Sequence, residues 1–145
     1  MRHRVAGKYL SRNTAQRKSL FKNLLSALFV HGEIQTTEAK AKAIKGLADK
    51  LIVRAQPRTI AARRLLGRFF GTRAVVNRLV DEVAPAMKDR KSGFTRIIRL
   101  GKRMGDDSVM VKMELVNKPI EKVVEKKEGA KEAVNPAPVK ETKEV

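Results

Sequence analysis

The chain has no cysteine anywhere in its 145 residues. Neither a disulfide frame nor a thiolate metal site is therefore possible, and the absence fits a reducing compartment. No apolar run approaches the roughly 18 to 20 residues that a membrane-spanning helix needs. Carboxylates are missing from the start: Arg2, Arg4, Lys8, Arg12, Arg17, Lys18 and Lys22 all precede the first acid, Glu33. Folding does not require this, because like charges placed so closely repel unless something negative sits among them. The opening also lacks the apolar stretch and small-residue cleavage site of a secretory signal. A basic, Ser-containing opening is compatible with a transit peptide, but it runs without a break into an apparent helix.

Cations are abundant instead. Lysine and arginine number 33 against 15 aspartates and glutamates, a formal net charge of +18 and a pI near 10.8. Such a balance says little about fold and much about partners: a polyanion, either nucleic acid or an anionic surface. The charge is unevenly placed. Residues 1–118 hold 27 basic and 9 acidic residues, whereas residues 119–145 hold six lysines and six glutamates and are neutral. The latter stretch, without an aromatic residue and rich in Lys, Glu, Pro and Ala, cannot bury enough apolar area to offset its ordering entropy. The expected organisation is a basic RNA-binding arm over 1–13, a globular domain over 14–118 and a disordered tail over 119–145.

Within the domain the periodicity predicts a helix over 14–31. Its apolar stripe is Phe21, Leu24, Leu25 and Leu28, with Asn13 or Thr14 to cap its start and Gly32 to end it. EIQTT at 33–37 reads as a strand. A second helix over 38–55 carries Ile44, Leu47, Ala48, Leu51, Ile52 and Ala55 on one face and stops at Pro57. A short helix over 59–70 offers Leu65, Leu66, Phe69 and Phe70, and another over 73–84 offers Val75, Val76, Leu79, Val80 and Val83. Residues 94–100 and 108–116 alternate like strands, joined by GKRMGDD as a hairpin connection. The order helix, strand, three helices, two strands predicts a two-layer α/β domain, with helices packed on one face of a small mixed sheet.

Catalytic chemistry finds few carriers. The two histidines, His3 and His31, stand apart from any converging set of groups. Asp106 and Asp107 suggest a magnesium pair only if their Gly-flanked position, typical of turn residues, is ignored. No phosphate-cradling glycine motif is present. No cofactor and no small-molecule substrate are expected.

Basic residues form three clusters. Arg2, His3, Arg4, Lys8, Tyr9, Arg12 and Asn13 lie in the arm and run into Arg17, Lys18 and Lys22 of the first helix. Arginine forks grip phosphate bidentately. Tyr9, the only tyrosine, is placed either to stack on an unpaired base or to enter the core. The second cluster contains Arg58, Arg63, Arg64, Arg68, Arg73 and Arg78. Arg63 and Arg64, being adjacent, diverge by about 100° on a helix. The third comprises Lys91, Arg96, Arg99, Lys102 and Arg103 on and around the hairpin, a candidate probe for an RNA groove. Simple solvation is the alternative for each single member of the last two clusters. A DNA-compacting or nucleoid-associated protein would share the charge but needs a base-reading helix or a dimer seam, and neither is evident. An RNA-processing enzyme lacks a site.

Three ordered stretches resemble the bacterial large-subunit ribosomal protein L17 family. MRHR at 1–4 with Gly7, Leu10, Arg12, Asn13 and Arg17 is similar to the family's start. IQTTEAKAKAI at 34–44 is similar to its signature, and GFTRI at 93–97 with GDDSVMVKMELV at 105–116 to its C-terminal hairpin. Where the family often has a further basic residue or His before Arg17, this chain has Gln16. The resemblance covers residues 1–118. It implies a structural constituent of the large ribosomal subunit that binds 23S rRNA near the exit of the nascent-peptide tunnel. It further implies a cytoplasmic location in the ribosome, other large-subunit proteins as neighbours, one copy per particle, and no enzymatic activity.

Overall fold

Helix α1 (Thr14–His31) starts where Asn13 turns its side chain inward, its Oδ1 accepting from the Gln16 amide at 2.8 Å. This satisfies one of the amides that every helix start leaves without a partner. The helix stops at Gly32, whose φ of 76° suits the left-handed cap and whose amide donates to the Leu28 carbonyl. A computed structural model describes residues 7–117 of the chain. The expected tail over 119–145 and residues 2–4 of the expected arm lie outside the described residues.

After α1 the chain forms β1 (Glu33–Thr37), α2 (Glu38–Ala55) and α3 (Ile60–Phe70). Thr59 caps α3, its Oγ1 accepting from the Ala62 amide at 3.2 Å. Gly71 closes that helix at φ 70°. Helix α4 (Arg73–Arg78) continues through a π-helical turn, Leu79–Val83, into a last turn, Ala84–Ala86. Pro85 accounts for the widening: it has no amide to donate, and its ring would press on the Asp81 carbonyl in a regular α-helix. Strands β2 (Thr95–Lys102) and β3 (Val109–Leu115) complete the domain.

The two-layer α/β class is as expected, but the sheet is not mixed. Its order is β1-β3-β2 and both pairings are antiparallel. The reason is the hairpin. β1 and β2 run in the same direction, and the return strand β3 takes the central place, so the two parallel strands are never neighbours. One face of the sheet presents Val111, Met113 and Leu115 to the helices, as the alternation predicts. The other face presents Glu33, Lys112, Glu114 and Arg96, joined by the pairs Lys112–Glu33 at 3.0 Å and Arg96–Glu114 at 3.6 Å.

The core is one cluster in which α2 contributes most, through Ala41, Ile44, Ala48, Leu51, Ile52 and Ala55. Val75, Val76, Leu79, Val80 and Val83 are all buried, as predicted. Two expectations shift. Phe29 joins Leu25 and Leu28 as a fully buried residue of α1, while Phe21 and Leu24 are only partly covered. Leu65 remains 59% exposed, because α3 packs through the narrower line Ala62, Leu66 and Phe70. Phe70 sits edge-on to both Phe29 and Phe69, an arrangement that aligns ring edges with ring faces.

Candidate nucleic-acid interface

The segment before α1 makes a tight turn. Leu10 and Ser11 both have positive φ, 52° and 51°, a conformation that costs an L-residue about 1 kcal/mol each. The Arg12 amide donates to the Tyr9 carbonyl at 3.2 Å, and its guanidinium to the Leu10 carbonyl at 3.1 Å. This turn lifts Lys8, Tyr9 and Arg12 to the surface. Tyr9 is half exposed and so is not a core residue. The Arg17 guanidinium lies 5.1 Å from its ring centroid, a cation–π contact that presents ring and charge together. Asn13, placed among the RNA-binding candidates by sequence, serves as the α1 cap. Lys18 is exposed. Lys22 reaches away from the arm: a Cβ added to Gly71 would lie 3.0 Å from its Nζ. The first and second basic clusters therefore meet at the joint between α3 and α4.

At that joint the divergence of Arg63 and Arg64 has a clear outcome. Arg63 braces the two helices, with Nη2 donating to Asp81 Oδ1 at 2.6 Å and Nη1 to Asn77 Oδ1 at 3.1 Å. Arg64, Arg68 and Arg73 have no carboxylate partner among the described residues. No acid stands in the first turn of α1, α3 or α4. No first-turn carboxylate thus offsets these positive helix starts. Between α3 and α4 runs an open groove of about 580 Å³. Its walls include Ile60, Arg64, Gly67, Gly71, Arg73 and Val76.

The hairpin cluster differs. Arg96 pairs with Glu114, Arg99 with Glu38 at 2.9 Å, Lys102 with Asp107 at 2.5 Å, and Arg103 with Asp106 at 2.6 Å. Lys42 and then Arg99 hold the Glu38 carboxyl down at a pKa of about 2. Asp106 is held far below the usual carboxylate range, first by Arg103 and then by Ser108. The guanidinium groups of Arg99 and Arg103 are pushed up in return by hydrogen bonds to these acids. Asp106 also accepts from the Ser108 hydroxyl at 2.7 Å and so shapes the turn. Four of the five cations singled out around the hairpin therefore already have a carboxylate of their own chain; Lys91, in the loop before β2, has none among the described residues. At the tip, between these charged pairs, Met104 is almost fully exposed.

Sequence reading did not single out Lys45, Lys50 and Arg54, which stand exposed along the outer side of α2 with no ion-pair partner among the described residues. Their positions on the polar side of an amphipathic helix were the available signal. Among the described residues no group of three or more His, Cys, Asp or Glu side chains is arranged to hold a metal ion. No described helix is long and apolar enough to cross a membrane. His31 is an exposed residue at the end of α1.

The family described as Ribosomal protein L17 matches residues 20–116. A large ribosomal subunit protein bL17 from Persephonella marina is 46% identical over 121 residues, covering 82% of this chain and 98% of the relative. The bL17 protein of Anaeromyxobacter dehalogenans is 45% identical over 118 residues, 81% of this chain and 73% of the relative. That of Rubrobacter xylanophilus is 43% identical over 121 residues, 83% of this chain and all of the relative.

Proposed function

Because the chain belongs to the ribosomal protein L17 family, we propose that it binds and stabilises folded large-subunit rRNA near the peptide tunnel exit. The family is structural rather than catalytic, and its members are components of the cytoplasmic ribosome. The observation that carries the RNA reading is the division of charge. Ion pairs within the chain neutralise Arg96, Arg99, Lys102 and Arg103 of the hairpin. Among the described residues, Lys18, Lys22, Arg64, Arg68 and Arg73 are left without a carboxylate around the α1 start and the α3–α4 joint. Folded RNA brings phosphates close together, and unpaired lysine and arginine relieve their repulsion by displacing counterions. Recognition is of backbone and shape, since the edges of paired bases in an RNA helix are hard to reach. Tyr9 with Arg17 offers a stacking platform beside that surface. The implied location at the tunnel exit, the contact of the arm with rRNA, the neighbouring ribosomal proteins and the single copy per particle belong to this proposal.

Sedimentation of a cell lysate tests it. Co-migration with large subunits at moderate salt supports the reading, and co-migration with the nucleoid rejects it. Removing residues 1–12 leaves the Asn13 cap in place, so the domain should remain folded while rRNA binding weakens strongly. Binding unchanged by that truncation would remove the arm from the mechanism. Removing residues 119–145 should barely affect assembly into the subunit.

A further inference from the structure

The groove between α3 and α4 combines features that a general phosphate-binding surface does not need. Its lining is partly apolar: Ile60 stands 70% exposed at one end, and Val76 and Gly67 lie along it. Gly67 is in the middle of α3, where glycine weakens a helix, and a Cβ there would meet nothing within 4 Å. Packing therefore does not demand glycine at this position; leaving it bare keeps the groove open. Arg64 and Arg73 line the groove without carboxylate partners among the described residues, and Lys22 approaches it at Gly71. Asp81, the acid in the lining, is neutralised by Arg63.

A charge-bearing occupant must therefore be anionic, and it must also have an apolar face. Duplex phosphates supply the charge without the face. An extended peptide needs a free strand edge to pair with, whereas both walls here are helices and offer no strand edge. A volume of about 580 Å³ is that of a small-ligand pocket rather than a seat for a long partner helix. Resting on the rRNA reading above, we propose that this groove receives one unstacked nucleotide of the bound RNA. The base lies along Ile60, Gly67 and Val76, and Arg64 and Arg73 meet its phosphate. Planar guanidinium groups suit both tasks, since they stack on bases and fork onto phosphate.

The test uses the full chain and a large-subunit rRNA transcript, with chemical probing of each base and a binding titration. Gly67→Leu fills the groove without touching the core. Gly46→Leu is the control, because Gly46 on α2 is equally free of neighbours and does not line the groove. The expected result is protection of one unpaired base by the wild-type chain. That protection is lost in Gly67→Leu with a roughly tenfold weaker affinity, while Gly46→Leu retains both. If Gly67→Leu binds and protects like the wild type, the groove is not a nucleotide site, although the rRNA reading stands. If a photo-crosslinker placed at Ile60 in assembled subunits marks a protein instead of a nucleotide, the proposal is likewise overturned. If the wild-type chain fails to bind the transcript at any salt concentration, the rRNA reading itself falls.

Discussion

Replacing Arg64 and Arg73 together with glutamine should lower the salt dependence of rRNA binding, and replacing a hairpin ion pair should not. The magnitude follows from which cations are free. Each phosphate neutralised contributes roughly 0.7 to 0.9 to the log–log slope of affinity against salt. Arg64 and Arg73 have no carboxylate partner among the described residues, so removing both should flatten the slope by about 1.4 to 1.8. Between roughly 0.1 and 0.3 M salt, the wild-type chain should then lose about five- to sevenfold more affinity than the double variant. The comparison is Lys102→Gln with Asp107→Asn. It removes one cation and the carboxylate beside it, leaves the net charge unchanged, and places asparagine where φ is 51°, a conformation asparagine tolerates. Its slope should match the wild type within about 0.3, well below the contribution of one phosphate. Filter binding at several salt concentrations measures both, with thermal melts to confirm folding. The reasoning is refuted if the hairpin variant flattens the slope as much as the Arg64 and Arg73 variant does. In that event RNA would be displacing Asp107 from Lys102, and pairing within the free chain would be no guide to the interface.

Other perturbations address the scaffold. Phe70→Ala removes a fully buried ring flanked by Phe29 and Phe69 and should cost about 3 to 5 kcal/mol in urea unfolding. Asn13→Ala should cost about 1 kcal/mol through the lost cap. Asn13→Ser should restore both stability and rRNA affinity, whereas a base-reading role for Asn13 would leave affinity low. Glu38 titrates near 2 when folded, below its ordinary 4.5. The folded state therefore binds fewer protons than the unfolded one between those values. The contribution of Glu38 to stability is present above about pH 4.5 and fades as the pH falls toward about 2. Glu38→Gln should flatten that limb of the acid-unfolding curve and leave the neutral region nearly parallel to the wild type.

Much of the scaffold was legible from periodicity. The α2 and α4 stripes were correct because each of these helices buries one broad face, α2 against the sheet and α4 against α1 and α3. Leu65 was misplaced because the spacing of apolar residues does not say how wide the covered side of a short helix is. The direction of the sheet was not readable, since it depends on which hairpin strand lies next to β1. Basic residues were easy to find and hard to sort. Lys102-Arg103 and Asp106-Asp107 stand close in the chain, so their pairing had a local signal in the turn. Arg99 had none: its partner Glu38 lies 61 residues away in sequence and reaches it only once α2 packs on the sheet. The approach of Lys22 to Gly71 likewise exists only in the folded chain.

The irregularity in β2 has a consequence for the protein before it is assembled. Arg99 faces Val111 and Gly101 faces Met110, so Leu100 has no opposite number and the strand bends there. β2 is also the rim of the sheet, with Arg96, Arg99 and Lys102 spaced along it. A kinked, charge-studded rim is a poor template on which a second molecule could zip its own backbone. On this side of the sheet, newly made copies crowded together before assembly find no straight edge on which to stack.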